Sequence, residues 1–160
     1  MRRTVRIAAG VAAAVALTVL VSSCDDSNGP NPPIYSANLT GAAEVPPTNS
    51  TATGTATFTD NTTSIDYVLS ISPLTAVTAS HIHLGAATCA CPVIINLYNP
   101  IRATGTISGV IATGTITAGN NNQVSLDSLR VLFNNGNAYV NVHTTAFGGG
   151  EIRGTVARRN

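Results

Sequence analysis

From Ile34 onward, apolar and polar positions alternate in short runs that break repeatedly at Asn, Gly, Asp or Pro. In Ala52-Thr53-Gly54-Thr55-Ala56-Thr57-Phe58-Thr59, threonine takes every second position and small or apolar residues take the others. A period of two places successive side chains on opposite faces of a strand, so this is the pattern of a strand buried on one side. Ser64 to Ser72 alternates again through Ile65, Tyr67, Leu69 and Ile71, and the intervening Thr59-Asp60-Asn61-Thr62-Thr63 reads as the turn of a hairpin. Runs rich in Thr, Val and Ile predict further strands at about 35–40, 79–84, 92–98, 104–111, 113–118, 138–145 and 151–157. Thr-Gly-Thr recurs at Thr53, Thr104 and Thr113 without a fixed period, so it is local strand chemistry and not a solenoid repeat. Nine short strands predict an all-β fold, an antiparallel sandwich of two sheets.

One segment departs from the period of two. Leu126, Leu129, Leu132 and Phe133 recur at helical spacing, Ser125 stands where an N-cap belongs, and Asn135-Gly136 offers a left-handed stop. A short helix before the last hairpin is expected, with a strand as the alternative.

Before Ile34 the chain has another character. Arg2, Arg3 and Arg6 precede an uncharged apolar run from Ile7 to Val21, which ends in Val21-Ser22-Ser23-Cys24. A basic start followed by an apolar stretch too short to span a bilayer is the layout of a secretory signal peptide. Small residues directly before a cysteine resemble a bacterial lipobox. That resemblance implies cleavage after residue 23 and acylation of Cys24, with palmitate or a similar chain. Asp25 to Pro33 is polar and rich in Pro and Gly, so residues 24–33 read as a lipidated tether with a reach of ~30 Å, and residues 34–160 as the domain. The expected location is the cell envelope, on a bacterial membrane and facing the periplasm or exterior.

Charge narrows the partners. The chain has no lysine, and cleavage at residue 23 leaves five arginines against seven acids, a formal net charge of −2. Binding a phosphate backbone needs a basic footprint that is lacking here, so nucleic acid is not an expected partner. No Gly-x-Ser-x-Gly turn, pair of carboxylates or Gly-rich strand-to-helix loop stands out, and no enzymatic activity is expected.

The candidate chemistry lies in Ser80-His81-Ile82-His83 and in Tyr139-Val140-Asn141-Val142-His143. In a strand His81 and His83 share a face, as do Tyr139, Asn141 and His143, and Glu151 and Arg153 in the final strand. The Gly-rich Ala146 to Gly150 predicts a hairpin that sets His143 near Glu151 or Arg153. If the His81 strand neighbours that hairpin, these residues form one polar patch. Two readings stay open. His81, His83 and His143 could converge on a copper or zinc ion, or they could form a hydrogen-bonded network with Glu151 and Arg153 that stitches strands together, with no cofactor.

Cys89 and Cys91 follow directly after. In an extracytoplasmic compartment thiols tend to be oxidised, and with Cys24 acylated an even number remains. A disulfide between them, free thiols and metal thiolates all stay open.

Leu39 to Thr48 (LTGAAEVPPT), Ala79 to Ala87 (ASHIHLGAA), Leu126 to Gly136 (LDSLRVLFNNG) and Tyr139 to Val156 (YVNVHTTAFGGGEIRGTV) closely resemble, in order and spacing, the CHRD domain. That module is named after chordin and is widespread in bacterial secreted proteins and lipoproteins. The resemblance covers about residues 35 to 157. It implies an immunoglobulin-like β-sandwich, with a distant likeness to copper/zinc superoxide dismutases, and it implies no settled activity. The matching positions are Glu44, Pro46, Pro47, His81, His83, Gly85, Tyr139, Asn141, His143, Glu151, Arg153 and Gly154. Cys89-Ala90-Cys91 departs from the family pattern, so the family lends those cysteines no role. Chordin's growth-factor partner does not carry over to a bacterial lipoprotein. A dismutase-like dinuclear site would need more imidazoles than the three in this chain. The expectation is therefore a non-enzymatic, lipid-anchored module that binds an unknown protein or envelope partner or serves the envelope structurally. The alternative is a metal-binding protein using His81, His83 and His143, with Glu44, Asn141, Glu151 and Arg153 around them.

Overall fold

The computed structural model describes residues 31–100, 104–119 and 124–159. The expected signal peptide, the expected lipidation site Cys24 and the expected tether as far as residue 30 lie outside the described residues. Among the described residues no helix is long and apolar enough to cross a membrane.

Among the described residues nine strands and one α-helix follow in chain order, with a single 3-10 turn at Gly41–Ala43: β1 (Ile34–Thr40), β2 (Thr53–Asp60), β3 (Ile65–Thr75), β4 (Val77–Leu84), β5 (Val93–Tyr98), β6 (Thr106–Ile116), α1 (Leu126–Asn134), β7 (Ala138–Thr144), β8 (Ile152–Thr155) and β9 (Ala157–Arg158). The β2–β3 hairpin forms as the alternation predicts. Its register sets Ala56 opposite Leu69 and Phe58 opposite Tyr67, so the apolar positions of both strands share the inner face. Two expected strands, 104–111 and 113–118, are one continuous strand, β6. The Thr113-Gly114-Thr115 echo lies inside it because Gly114 leaves room for the Tyr67 ring packed against it. The expected last strand divides into β8 and β9.

The strands join into one antiparallel sheet in the order β5-β4-β7-β8-β1-β2-β3-β6, with β9 added beside β1. The expected antiparallel β fold with one short helix holds, and its pairing is continuous where a two-sheet sandwich was expected. β1 pairs with β2 along its whole length and also meets β8 at Thr40–Arg153, so hydrogen bonds run unbroken from one half to the other. The sheet curls until its ends approach, giving a nearly closed, barrel-like form. The Tyr67 hydroxyl on β3 donates to the Leu97 carbonyl on β5 at 3.1 Å across that gap.

Helix α1 forms where expected. The Ser125 side chain accepts from the Ser128 N–H, and Gly136, at φ +66°, ends the helix. Leu129 and Phe133 are its buried residues, and Phe133 packs on Tyr35 and Phe58 with ring centroids 5.3 and 4.9 Å away. Arg130 grips Asp60 with two nitrogens, at 2.8 and 2.9 Å, and so fastens the helix to the end of β2.

Candidate functional site

β4 lies between β5 and β7, and β7 pairs in turn with β8. The register sets His81 opposite Asn141, His83 opposite Tyr139, Ala79 opposite His143, and Asn141 opposite Arg153. Residues opposite one another across a ladder share a face, so the three imidazoles, Tyr139, Asn141 and Arg153 stand together on the outer face. Ile82, Val140, Val142 and Ile152 fill the inner one.

That outer face is not open. Arg153 is 2% exposed, Tyr139 0%, Asn141 1% and Glu44 3%. The β4–β5 loop covers part of it, folding back over His83, Tyr139 and Arg153. Gly85 makes that reversal: its φ is +117°, and a Cβ there would collide with the sulfur of Cys91. Cys89 and Cys91 are joined in a disulfide. The loop presents backbone groups to the face: the Cys91 carbonyl accepts from His83 Nδ1 at 2.6 Å, and the Cys89 carbonyl accepts from Tyr139 at 3.0 Å and from Arg153 at 2.8 Å.

Burial pushes all three imidazoles below their ordinary value. His81 falls furthest, to about 4, through burial and then the neighbouring His143 and His83. For His83 and His143, burial outweighs the hydrogen bonds to carbonyls that favour the charged form. Neutral imidazoles have one N–H and one lone pair each. His143 faces the Gly148 carbonyl through Nδ1 at 3.0 Å, and His83 faces the Cys91 carbonyl through Nδ1. A carbonyl only accepts, so both protons sit on Nδ1 and both Nε2 atoms carry the lone pair. His81 Nδ1 lies 3.1 Å from His143 Nε2 and, without an ion, donates to it. His83 Nε2 lies 3.0 Å from the Asn141 amide oxygen position. Two acceptors repel, so a neutral His83 requires the amide turned over, with its NH₂ toward the ring.

One candidate ligand atom from each histidine lies within 4.8 Å of the other two. Tetrahedral zinc with ~2.05 Å bonds holds its nitrogens ~3.3 Å apart. The His81–His143 pair already meets that spacing, and His83 has to close by no more than ~1.5 Å. A carbonyl on the far nitrogen of a metal-bound histidine is the usual means of fixing tautomer and ring angle. His83 and His143 both have one.

Of the other expected residues, Glu44 and Arg153 form a buried ion pair, Nε to carboxylate at 2.6 Å. Burial nevertheless holds the Glu44 carboxyl above its ordinary value, and its Oε1 has no hydrogen-bond partner. Glu151 stands apart from the imidazoles. Its carboxylate accepts from Ser50 and Thr144, both at 2.7 Å. Beside Glu44 lies a groove of about 480 Å³ walled by Val45, Pro46, Pro47 and Phe147. The imidazoles are not among its walls, so groove and cluster are separate features, linked through the Glu44–Arg153 pair.

Sequence reasoning missed Tyr139 as an organising residue. Its ring stacks on His83 at 4.7 Å and 7°, and the Arg153 guanidinium sits 4.5 Å from its centroid. The register signal was present, since Tyr139 shares a face with Asn141 and His143. The carbonyls of Cys89, Cys91 and Gly148 left no side-chain signal to find.

A family model for the CHRD domain matches residues 35–156. No curated protein and no solved structure matches the chain.

Proposed function

The chain belongs to the CHRD domain family, and from that premise we propose that it is a lipid-anchored extracytoplasmic module, non-enzymatic, that holds one copper or zinc ion on His81, His83 and His143. The observation that carries the metal reading is the convergence of three neutral imidazoles, two of them with the outer nitrogen bound to a carbonyl. Three imidazole nitrogens would suit either ion. The Cys91 carbonyl and the Tyr139 ring would orient His83, whose Nε2 lone pair would pass from Asn141 to the ion, while Glu44 and Arg153 brace the face behind them. The lipobox-like Val21-Ser22-Ser23-Cys24 and the tether support the anchor and a location in the cell envelope. An envelope or protein partner would then meet a domain held close to the lipid surface.

A second reading has its own observation. The 3.1 Å contact between His81 Nδ1 and His143 Nε2 pairs the two rings without an ion, so the cluster can serve as a network that stitches β4 to β7. Metal analysis of the chain purified without a polyhistidine tag, beside His83→Ala, separates the two. Near-stoichiometric copper or zinc that disappears in the variant sinks the network reading. No metal at micromolar supply, with a lowered melting temperature in the variant, sinks the metal reading.

A further inference from the structure

We propose that the Cys89–Cys91 disulfide is a redox control on ion affinity at the three-histidine site, an inference that rests on the metal reading above. The two cysteines are the covalent part of the loop that orients the site. Cys91 touches the cluster directly, its carbonyl accepting a hydrogen bond from His83 Nδ1 at 2.6 Å. It also acts through Tyr139: the Cys91 N–H donates to the phenol oxygen at 3.1 Å, and the phenol donates to the Cys89 carbonyl at 3.0 Å. The same tyrosine ring lies flat on His83. The Cys89 carbonyl and the Ala87 carbonyl also accept from Arg153, at 2.8 and 3.2 Å. Four of the groups that hold His83, Tyr139 and Arg153 in place thus come from a short loop of irregular backbone. A bond between residues two apart fixes the directions of its carbonyls. Gly85 has no side chain where the bridge packs, so the strand end and the bridge are fitted to one another.

Both cysteines are half-buried and not enclosed, which leaves the bridge open to a small dithiol. The exchange begins when a reductant thiolate attacks one cysteine sulfur, breaking the S–S bond and forming a mixed disulfide. The reductant's second thiol resolves it. Two electrons and two protons pass to Cys89 and Cys91, which become thiols, and the reductant leaves as a cyclic disulfide. With the bridge open, the loop no longer fixes the Cys91 carbonyl on His83 or the backbone cradle around Tyr139. Loss of such outer contacts costs ~10–100-fold in metal affinity. The coupling is reciprocal: the bound ion makes the bridge harder to reduce by the same factor. An oxidising compartment then keeps the site competent, and a reducing one weakens it.

Zinc dissociation constants, read by competition with a chromophoric chelator, test this on the full chain without a polyhistidine tag. Three samples are needed: the oxidised chain, the chain reduced with dithiothreitol and freed of it by gel filtration under nitrogen, and Cys89→Ser/Cys91→Ser. Far-ultraviolet circular dichroism verifies the fold of each. The expected result is binding by the oxidised chain that weakens at least tenfold in both of the others. Equal or tighter binding by the reduced chain overturns the redox control and leaves the histidine site standing. If the oxidised chain binds neither zinc nor copper(II), each supplied in turn, the metal reading is overturned, and this inference with it. Should the serine variant not fold, the reduced chain alone decides, since its residues are unchanged.

Discussion

His81 is the imidazole for which a proton is least welcome, held at about 4 by burial and by the two rings beside it. In the unfolded chain it takes a proton near 6.5. Between these values the unfolded chain binds more protons than the folded one, so stability of the metal-free protein rises with pH across that window. It is lost as the pH falls from about 6.5 toward 4, and His83 and His143 act in the same direction. Urea midpoints measured with a chelator present should decline steadily over pH 6.5 to 5, and less steeply in His81→Gln. A midpoint that stays flat contradicts the burial of the cluster. The Glu44–Arg153 pair makes a larger prediction. Both side chains are 2% exposed, so Glu44→Ala leaves a guanidinium buried without its counter-charge. Breaking such a pair from one side costs ~3–5 kcal/mol, and denaturant unfolding of Glu44→Ala should show a loss of that order. The histidines were legible because positions two apart on a strand share a face, whatever the rest of the fold does. The burial of Arg153 was not, because the loop that covers it is fixed by backbone contacts at Ala87, Cys89 and Cys91.

Helix α1 and β6 show the two ways an element meets expectation. The helix was legible because its apolar spacing, its Ser125 cap and its Gly136 stop agree. What the sequence could not indicate is where the helix docks, since Arg130 reaches Asp60, seventy positions earlier in the chain. β6 was expected as two strands, because Gly105 and Gly114 look alike in sequence. The structure tells them apart: Gly105 turns at φ +74° before β6, while Gly114 lies inside the strand under the Tyr67 ring. The Arg130–Asp60 contact is two-pronged, with Asp60 buried and Arg130 half-buried, so removing it should cost ~1.5–3 kcal/mol, the range for hydrogen bonds to charged groups. Arg130→Ala should show that loss in denaturant unfolding. Arg130→Lys should recover less than half, because an ammonium cannot match the fork. The hydrogen bond from Arg130 holds the Asp60 carboxyl below its ordinary 3.8. A lowered carboxylate adds stability that is present above the unfolded value and lost as the pH falls through the folded one. The difference between wild type and Arg130→Ala should therefore shrink in acid below about pH 4.

At the scale of the molecule, the open question in the sequence was partnership. Alternation tells which face of a strand is buried but not which strand lies beside it, so nine strands fit two flat sheets as well as one curled sheet. The choice rests on long-range contacts: Thr40 with Arg153 joins the halves, and Tyr67 reaches Leu97 where the ends approach. The Tyr67 contact is the more informative to remove. Its phenol is half-buried, and burial raises its pKa, so the hydroxyl is a neutral donor at every physiological pH. Tyr67→Phe keeps the ring over Gly114 and deletes only the oxygen, at a cost of ~1 kcal/mol in global stability. The local effect should exceed the global one. β5 pairs with a single neighbour, β4, and the Tyr67 hydroxyl on β3 is a hydrogen-bonded tie across the gap, beside its packing against β6. Without that tie β5 opens by itself, so amide exchange should quicken in Val93–Tyr98 more than in the central strands β1 and β8. Uniform acceleration across all strands would mean that the gap is closed by packing alone and that the hydroxyl adds nothing specific to it. Because β5 also forms one flank of β4, the same variant should loosen the strand that carries His81 and His83. Exchange at His83 that quickens along with β5 would tie the closure of the sheet to the geometry of the imidazole cluster.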